Sequence, residues 1–290
     1  MRILVTGAKG QLGVELRETL GQGHDVLALD LPELDIRTPE TTRVIADARP
    51  AWVVHAAAWT DVDGCERDPE RARLVNGEGT RRVAEACRTA GAGLVYLSTD
   101  YVFDGRKGAP YLETDPVAPL SAYGRSKVAG EEAVRAMAPR WAIVRTAWMF
   151  GVSGTNFVKT IVEKGAAGGP LRVVDDQVGS PTYARDLAEA IAHLLSRELT
   201  GTYHVTNAGS CSWCVFARAI LEEAGLGDVP VTPMTTSELG RPAPRPAYSV
   251  LANHAWAAAA LRPLRPWSEA LAAMVTAWKA TDGFPLSRRV

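Results

Sequence analysis

Short apolar runs alternate with segments in which apolar residues recur every three or four positions along the first half of the chain. A short apolar run predicts a buried β-strand, and the longer period predicts an amphipathic helix. Strands are expected at residues 2–7, 24–30, 51–59 and 92–100, and helices between them at 11–20, 41–49 and 69–90. This order predicts a doubly wound parallel α/β sheet with helices on both faces and a ligand crevice at the carboxyl ends of the strands.

The second half of the chain continues the alternation less regularly. The predicted elements are a helix at 122–137, a strand at 140–151, helices at 155–164 and 184–196, a strand and turn at 170–183, a strand at 201–205 and helices at 212–224 and 267–278. The proline-rich segment 240–250 can form neither a helix nor a central strand and is predicted to be a stiff loop. We expect one domain at residues 1–150, with returning segments from about 170–205, and a smaller α/β lobe over most of 151–290.

A glycine-rich turn follows the first predicted strand. Gly7, Gly10 and Gly13 lie three residues apart in the segment TGAKGQLG. Glycines there permit a tight turn, close approach of backbone N–H groups to a pyrophosphate, and close packing of the next helix on the sheet. The spacing differs from the general fingerprint G-x-G-x-x-G, but the required strand, turn and helix are all predicted. The first domain is therefore predicted to be a Rossmann-type NAD(P)-binding domain.

Two residues give opposite indications about the cofactor. Asp30 ends the second strand, seventeen residues after Gly13, where a carboxylate can bind an adenosine ribose and favours NAD. Lys9, inside the glycine turn, can instead pair with a 2′-phosphate, so NADH and NADPH both stay open. Asp35 and Ile36 follow in a loop where they can flank an adenine, although Asp35 can equally be a helix cap or a solvated acid.

Tyr123 and Lys127 are the central candidates for catalysis. They lie four residues apart in the predicted helix 122–137, so the phenol and the ammonium share one helix face. A neighbouring cation favours the phenolate, which predicts a lowered pKa for Tyr123 and a role as general acid. The spacing alone is also typical of a surface pair. The prediction therefore depends on the rest of the chain, where Thr99 ends the fourth strand beside Asp100.

Other candidates lie at the same edge of the predicted sheet. Ala56 to Ala58 leave room for a ligand at the end of the third strand, although alanines also suit tight packing. Trp148, just past the fifth strand, can cover a ligand ring or act as a hydrophobic lid. Arg241 and Arg245, in the proline-rich loop, can clamp a diphosphate or lie in an exposed connector.

The composition excludes several other classes of protein. With 290 residues, 47% hydrophobic content and a net charge of −1, the chain can bury a large core, and it has no basic stripe for nucleic acid and no polybasic patch for a membrane. The first residues do not show the pattern of a signal peptide, and no run approaches eighteen consecutive apolar residues, so we expect a cytoplasmic protein. Cys211 and Cys214 form a C-x-x-C without a second ligand pair, and the histidines show no zinc spacing, so no metal site is predicted.

The motifs T-G-x-x-G-x-x-G and Y-x-x-x-K occur in the order typical of the extended short-chain dehydrogenase/reductases, which the sequence resembles. The resemblance is closest to members that reduce nucleotide-linked keto sugars, and it extends to about Leu251. It rests on GAKGQLG, LDI, AAAWTDVDGCE, LSTDYVFDG, YGRSKVAGE, RTAWMFG, GTYHVTNAG and RPAPRPAYSVL. Trp59 and Cys214 depart from the family pattern, which affects local packing rather than chemistry.

This resemblance implies a reductase in which a reduced nicotinamide delivers hydride to C4 of a 4-keto-6-deoxy sugar on thymidine diphosphate. The product is dTDP-L-rhamnose, formed in the last step of its biosynthesis. By position, Thr99 hydrogen-bonds the substrate carbonyl, Tyr123 donates the proton, and Lys127 binds the nicotinamide ribose while lowering the pKa of Tyr123. The implied substrate residues are Thr99, Asp100, Trp148 and Arg245. The implied cofactor residues are Gly7, Gly10, Gln11, Leu12, Gly13, Asp30, Asp35, Ile36, Ala57, Ala58, Trp59, Leu97, Tyr123 and Lys127.

Two other functions share these motifs. A nucleotide-sugar epimerase or dehydratase has the same motifs but holds NAD tightly through a closed redox cycle. The regulatory subunit of methionine adenosyltransferase also resembles these reductases, so a non-catalytic binding role is the second alternative. We expect a monomer or a homodimer that binds a dTDP-sugar and neither nucleic acid nor membrane. Some family members dimerise through magnesium, but no dense acidic cluster indicates its ligands here.

Overall fold

Strands and helices alternate through residues 1–285, the part of the chain that the computed structural model describes. The strands are β1 (Arg2–Thr6), β2 (Asp25–Leu29), β3 (Trp52–His55), β4 (Gly93–Thr99), β5 (Arg140–Thr146), β6 (Met149–Phe150), β7 (Leu171–Val174), β8 (Val178–Gly179), β9 (Thr182–Tyr183), β10 (Gly201–His204), β11 (Cys211–Ser212) and β12 (Val231–Met234). The helices are α1 (Gln11–Gly21), α2 (Glu40–Ala48), α3 (Val62–Arg67), α4 (Pro69–Ala72), α5 (Thr80–Ala90), α6 (Ala122–Met137), α7 (Phe157–Ala167), α8 (Ala184–Ser196), α9 (Trp213–Ala224), α10 (Thr236–Leu239), α11 (His254–Ala258) and α12 (Trp267–Lys279).

A parallel sheet of six strands, in the order β10-β5-β4-β3-β1-β2, forms the centre of the larger lobe. Helices α1 and α8 pack together on one face, and α2, α5 and α6 pack on the other. Its central strands are apolar throughout because both faces are covered. The predicted doubly wound parallel sheet is confirmed. Its strand order reverses between β1 and β3, and ligands bind beyond the carboxyl ends of the strands at such a point.

A second, smaller core lies between helices α7, α9 and α12 and strand β7. Three two-stranded sheets, β11-β8, β12-β7 and β6-β9, accompany the main sheet. Strand β10 pairs with β5 at the edge of the main sheet, whereas β7 pairs with β12 in the smaller lobe. The division between the two domains at about residue 150 stays a prediction.

The predicted bounds of helix α6 are confirmed, and local signals explain them. The Ser121 hydroxyl accepts a hydrogen bond from the Gly124 backbone nitrogen at 3.1 Å and caps the first turn. Ala138, which ends the helix, has an extended backbone because the next residue is Pro139. Both signals are contained in neighbouring residues, which is why the sequence alone predicts this helix well.

The predicted helix at residues 69–90 is instead interrupted. Its first turn is α4 and its last part is α5, and the residues between them, Arg73–Gly79, form π-helical turns. Gly77 and Gly79 weaken the regular helix, because glycine has a low helix propensity. Turns of this kind often occur at functional sites. Here the interruption places Asn76 beside Trp59 and Ser126.

Candidate active site

Two adjoining cavities open at the carboxyl edge of the main sheet. The first, of about 490 Å³, lies at the ends of β1, β2 and β3, and the second, of about 420 Å³, extends past the ends of β4 and β5. The predicted residues that line the first are Gly7, Gly10, Asp30, Asp35, Ile36, Ala57, Ala58 and Trp59. Those that line the second are Gly7, Gly10, Gln11, Leu12, Gly13, Ala58, Leu97, Thr99, Asp100, Tyr123, Lys127 and Trp148. The fold therefore brings together the predicted site residues, with Arg245 as the exception.

The glycine turn between β1 and α1 has no room for side chains. Gly7 has a φ of +68°, and a Cβ on it would lie 2.6 Å from the Ala57 backbone nitrogen. A Cβ on Gly13 would lie 2.1 Å from the Gly7 carbonyl oxygen. Among residues 1–285, no side chain caps the first turn of α1, so its N–H groups are available to an anion. The turn therefore fits the pyrophosphate of a dinucleotide.

Asp30 and Lys9 meet at the rim of the first cavity. The Asp30 carboxylate accepts hydrogen bonds from the backbone nitrogens of Lys9 at 2.8 Å and Leu31 at 2.7 Å. The Lys9 ammonium donates to the Leu31 carbonyl oxygen at 2.5 Å and pairs with the exposed Glu33 at 3.3 Å. Asp35, farther along the rim, is paired with Arg37 at 2.6 Å, and this contact lowers its pKa. The rim thus carries both a carboxylate and an ammonium near the expected position of the ribose, and it fits either cofactor.

Helix α6 places Tyr123 and Lys127 along the second cavity. The Ser126 hydroxyl, between them in sequence, donates to the Tyr123 carbonyl oxygen at 2.7 Å. Lys127 is 3% exposed, and its ammonium lies 4.2 Å from the centroid of the Tyr96 ring. Within residues 1–285 this ammonium forms no ion pair or hydrogen bond, so its donors are available to a ligand.

Asn76 connects the cofactor cavity to the helix that carries Tyr123, and sequence reasoning missed it. Its amide accepts from the Trp59 backbone nitrogen at 2.8 Å and donates to the Trp59 carbonyl oxygen at 3.0 Å. It also donates to the Ser126 hydroxyl at 3.0 Å. The Trp59 ring, one of the departures from the family pattern, lies under the Arg71 guanidinium at 4.3 Å. The only local signal of this role is the run NGEG, which weakens the helix that contains Asn76.

The pKa of Tyr123 is shifted in the opposite direction to the prediction, and the pKa of Lys127 is lowered. Tyr123 is partly exposed to the cavity, yet desolvation by the surrounding protein raises its pKa, and its interaction with Thr99 only partly opposes this shift. Burial lowers the pKa of Lys127 to about 7, and the nearby Glu131 carboxylate opposes that shift. The prediction of a lowered Tyr123 pKa is therefore wrong, because desolvation, to which the Asp100 carboxylate adds, determines the sign of the shift. The phenol keeps its proton at neutral pH.

A buried ion pair lies one helical turn beyond Lys127. Glu131 is fully buried and accepts hydrogen bonds from the Arg145 guanidinium at 2.8 and 2.7 Å and from the Ser98 hydroxyl at 2.7 Å. Burial alone would raise the pKa of Glu131, but Arg145 and Ser98, together with Arg135, reverse the shift and leave the pKa lowered. The carboxylate is therefore ionised at neutral pH, and it joins α6 to strands β4 and β5 just behind the candidate catalytic residues.

Two stacked indoles form the wall of the second cavity nearest the smaller lobe. Trp148 and Trp213 have ring centroids 3.5 Å apart and planes inclined by 7°. Trp148 adopts a φ of 45°, and a Cβ on Gly179 would lie 2.4 Å from its ring, so the ring is closely held. The Trp213 indole nitrogen donates to Gln177 at 3.1 Å. Trp213 also lines the cavity and was not predicted, because its place opposite Trp148 depends on how the two lobes pack.

The two arginines of the proline-rich loop bind Asp63 at the start of α3. Arg241 lies 3.3 Å and Arg245 lies 3.1 Å from the Asp63 carboxylate, which also accepts from the Ala243 backbone nitrogen at 3.2 Å. Arg245 further interacts with the Tyr101 hydroxyl. Neither arginine is among the residues that line the two cavities of the described chain. These contacts hold the loop to the larger lobe, and contact of the arginines with a diphosphate stays a prediction.

Cys211 and Cys214 are buried free thiols that help form the core of the smaller lobe. Burial raises the pKa of the Cys211 thiol to about 12. Within residues 1–285, no group of three histidine, cysteine or acidic side chains is placed to hold a metal ion. Across the same residues, no helix is long and apolar enough to cross a membrane.

Removing the cap of α6 is expected to cost modest stability. In Ser121→Ala, the Gly124 N–H loses its partner, and an N-cap of this kind contributes about 1 kcal/mol to the free energy of unfolding. Urea unfolding measures the loss. Ser121→Thr is the matched control, since its hydroxyl can still accept a hydrogen bond from the Gly124 N–H. Equal losses in the two variants would show that the cap hydrogen bond contributes nothing particular.

The fold and the site together define a class of protein. A doubly wound parallel sheet carries a glycine turn that fits a pyrophosphate, and a tyrosine and a lysine one helical turn apart line the adjoining cavity. This arrangement is that of a nicotinamide-dependent oxidoreductase with a Rossmann-type fold. Residues 1–280 match the family described as the RmlD substrate binding domain, and the chain belongs to that family.

Relatives over nearly the full length support this assignment. The chain is 46% identical to dTDP-4-dehydrorhamnose reductase of Streptomyces griseus over 292 residues, which cover 98% of this chain and 93% of the relative. A crystal structure of a dTDP-4-dehydrorhamnose reductase from Clostridium acetobutylicum superposes with a TM-score of 0.94 at 42% identity, covering 96% of this chain and all of that one. The Bacillus anthracis enzyme, solved in complex with NADP, gives a TM-score of 0.93 at 41% identity and covers 95% and 99% of the two chains.

Proposed function

We propose that the protein reduces the C4 ketone of dTDP-4-dehydro-L-rhamnose to give dTDP-L-rhamnose, with NADPH or NADH as the reductant. The carrying observation is that Thr99, Tyr123 and Lys127 line one cavity, which adjoins the glycine-turn cavity. Relatives that bear the name dTDP-4-dehydrorhamnose reductase cover nearly the whole chain, and one was solved with NADP. The protein is accordingly an oxidoreductase of nucleotide-sugar metabolism.

The proposed roles follow from the chemistry of each side chain. The nicotinamide, when bound, supplies the hydride. Tyr123 holds a proton at the cavity and gives it to the alkoxide oxygen that develops at C4, and Thr99 binds the same oxygen. Lys127 directs its unpaired ammonium to the nicotinamide ribose. Trp148, stacked on Trp213, covers the sugar and keeps water from the reacting centre.

The proposed cofactor site divides between the two cavities. The turn at Gly7, Gly10 and Gly13 binds the pyrophosphate through backbone N–H groups. Asp30 and Lys9 lie where they can contact the adenosine ribose. The proposed site residues also include Asp35 and Ile36 at the adenine. The cofactor preference then depends on which of Asp30 and Lys9 the ribose contacts more strongly.

A substitution at Lys9 tests the cofactor preference. If Lys9 binds a 2′-phosphate, Lys9→Ala should lower kcat/KM for NADPH about tenfold, the effect of losing one charge-assisted hydrogen bond, with NADH little affected. Steady-state kinetics with each cofactor measures this. Lys9→Arg keeps the charge and serves as the control. Equal effects on both cofactors would mean that Lys9 does not distinguish them and that Asp30 dominates the rim.

Incubation with the keto sugar nucleotide tests the activity itself. Loss of cofactor absorbance upon addition of dTDP-4-dehydro-L-rhamnose is the expected result, and no oxidation of either nicotinamide would refute the proposal. Extraction of the purified protein separates the alternatives: an epimerase or dehydratase retains stoichiometric NAD, whereas a dissociable cofactor washes away. A regulatory subunit would show no turnover and would co-purify with a stoichiometric partner.

The proposal includes a cytoplasmic location and a monomeric or homodimeric state. Gel filtration with and without a chelator measures the oligomeric state and any effect of magnesium on it.

A further inference from the structure

Asp100 is a buried carboxyl group directly beside the candidate catalytic threonine. It follows Thr99 at the end of β4, in a short 3₁₀ turn, and is 2% exposed. The Thr99 hydroxyl donates to one carboxylate oxygen at 3.0 Å, and the Ser249 hydroxyl donates to the other at 2.5 Å. Both oxygens are therefore engaged by hydroxyl groups. Direct contact of Asp100 with the substrate stays a prediction, whereas its two hydrogen bonds to hydroxyl groups are present in the structure.

No cation neutralises this carboxylate within residues 1–285, where Asp100 forms no ion pair with lysine, arginine or histidine. The ionisable groups that interact with it are the phenols of Tyr101 and Tyr123. Arg245, which reaches the Tyr101 hydroxyl, is paired with Asp63. Lys127 lines the same cavity. Burial raises the pKa of Asp100 to about 6, and the hydrogen bonds from Ser249 and Thr99 only partly oppose this. The neutral acid is therefore accessible near physiological pH.

The hydroxyl of Thr99 has one proton to donate. The Thr99 oxygen also accepts a hydrogen bond from the Tyr101 backbone nitrogen at 3.2 Å. When the Thr99 proton points to an ionised Asp100, the oxygen therefore has only its remaining lone pair for the cavity, and that lone pair repels a substrate carbonyl. A neutral Asp100 can instead donate its own proton to the Thr99 oxygen. The Thr99 hydroxyl is then free to turn into the cavity and donate to the carbonyl oxygen. One proton on Asp100 thus reverses the direction of the hydrogen bond at the reacting centre.

We propose that Asp100 is a positioning residue whose neutral form turns the Thr99 hydroxyl toward the substrate carbonyl, with Ser249 holding the carboxyl group in place. This inference rests on the proposed reductase function. Ser249 is itself 2% exposed, and its backbone nitrogen donates to the Val178 carbonyl oxygen at 2.9 Å. Since Ser249 lies near the end of the proline-rich loop that carries Arg245, its hydrogen bond to Asp100 also connects Thr99 to the segment that is expected to bind the diphosphate.

Asp100→Asn tests the direction of this hydrogen bond. An asparagine amide can accept from Ser249 and donate permanently to Thr99, as the neutral acid does. The native enzyme should lose kcat/KM as pH rises through the pKa of Asp100, because the folded-state pKa is raised and the neutral form is the active one. Between pH 6 and 8, a group with a pKa of about 6 falls from about half to about one per cent protonated. Deprotonation of Lys127 near pH 7 affects both enzymes alike, so the native enzyme should lose roughly 50-fold more activity over this range than Asp100→Asn.

Ser249→Ala provides an independent measurement if the first variant fails to fold. Loss of the Ser249 donor destabilises the ionised form and should move the descending limb of the pH profile to higher pH. A merely structural role would lower kcat or thermal stability and leave the limb in place. An unchanged limb in either folded variant overturns the inference. Failure of the proposed function is distinguishable, since the native enzyme would then show no turnover at any pH.

Discussion

Replacing Tyr123 with phenylalanine is expected to lower kcat by about two to four powers of ten, the usual contribution of a positioned proton donor. The substitution removes only the hydroxyl, so the ring keeps its edge-to-face contact with Tyr101 at 5.9 Å. Desolvation keeps the phenol protonated at neutral pH, so the variant loses a proton that the native side chain holds at the cavity. The Michaelis constant for the cofactor should change little, because Lys127 and the glycine turn remain. Steady-state kinetics with the keto sugar nucleotide measures both parameters.

The matched control is Tyr203→Phe, at the far edge of the main sheet. The Tyr203 hydroxyl donates to the Thr200 carbonyl oxygen at 3.0 Å, and the ring lies outside both cavities. The substitution removes a hydroxyl that lies outside both cavities and should leave kcat within about twofold of the native value. Full turnover by Tyr123→Phe would mean that Tyr123 and Lys127 are an ordinary pair on a helix face and that the proton comes from elsewhere.

Features that depend on neighbouring residues were predictable from the sequence. Helix α6 begins and ends where its serine cap and the following proline require, and the apolar runs place the main strands correctly. The order of the motifs then brings the glycine turn, Thr99 and the Tyr123 helix to one edge, because the strands of a parallel sheet all end on the same side. That is why most of the predicted site residues line the two cavities.

Features that depend on contacts between distant segments were not predictable. Trp213 is separated from Trp148 by 65 residues, and Ser249 is 149 residues from Asp100, so no spacing rule connects them. The π-helical turns that position Asn76 could not be predicted from the spacing of apolar residues either, because a short irregular stretch within a long helix hardly changes that spacing.

The pKa shift of Tyr123 could not be predicted from the sequence for the same reason, since it too depends on contacts between distant segments. Helical spacing correctly places Lys127 on the same face, and an isolated helix would have the predicted cation effect. In the fold, both groups are desolvated by β4 and the surrounding loops, and Lys127 itself lies over the Tyr96 ring. Desolvation depends on the whole tertiary structure. The sign of the shift could therefore not be obtained from the helix alone.

Replacing Lys127 with methionine should combine a loss of cofactor binding with a loss of turnover. The ammonium lies over the Tyr96 ring but forms no hydrogen bond or ion pair within residues 1–285, so its donors are available to the ribose. A hydrogen bond from a charged group contributes roughly 1.5–3 kcal/mol. We expect KM for the cofactor to rise, and kcat/KM to fall about a hundredfold at pH 6. The native ammonium deprotonates as pH rises through about 7, so the deficit of the variant should narrow at alkaline pH. Steady-state kinetics of the native protein and the variant from pH 6 to pH 9 measures how this deficit in kcat/KM changes.

The stability of Lys127→Met separates this chemistry from misfolding. In the fold, burial lowers the pKa of Lys127 from 10.5 to about 7, so the unfolded chain binds more protons between these values. The native protein therefore carries a penalty that is fully present below pH 7 and disappears as pH rises toward 10.5. Methionine removes that penalty, and the variant should melt at a higher temperature than the native protein at pH 6. The exposed Lys164→Met is the control for both measurements. A variant that is more stable yet keeps native kinetics would exclude Lys127 from the reaction.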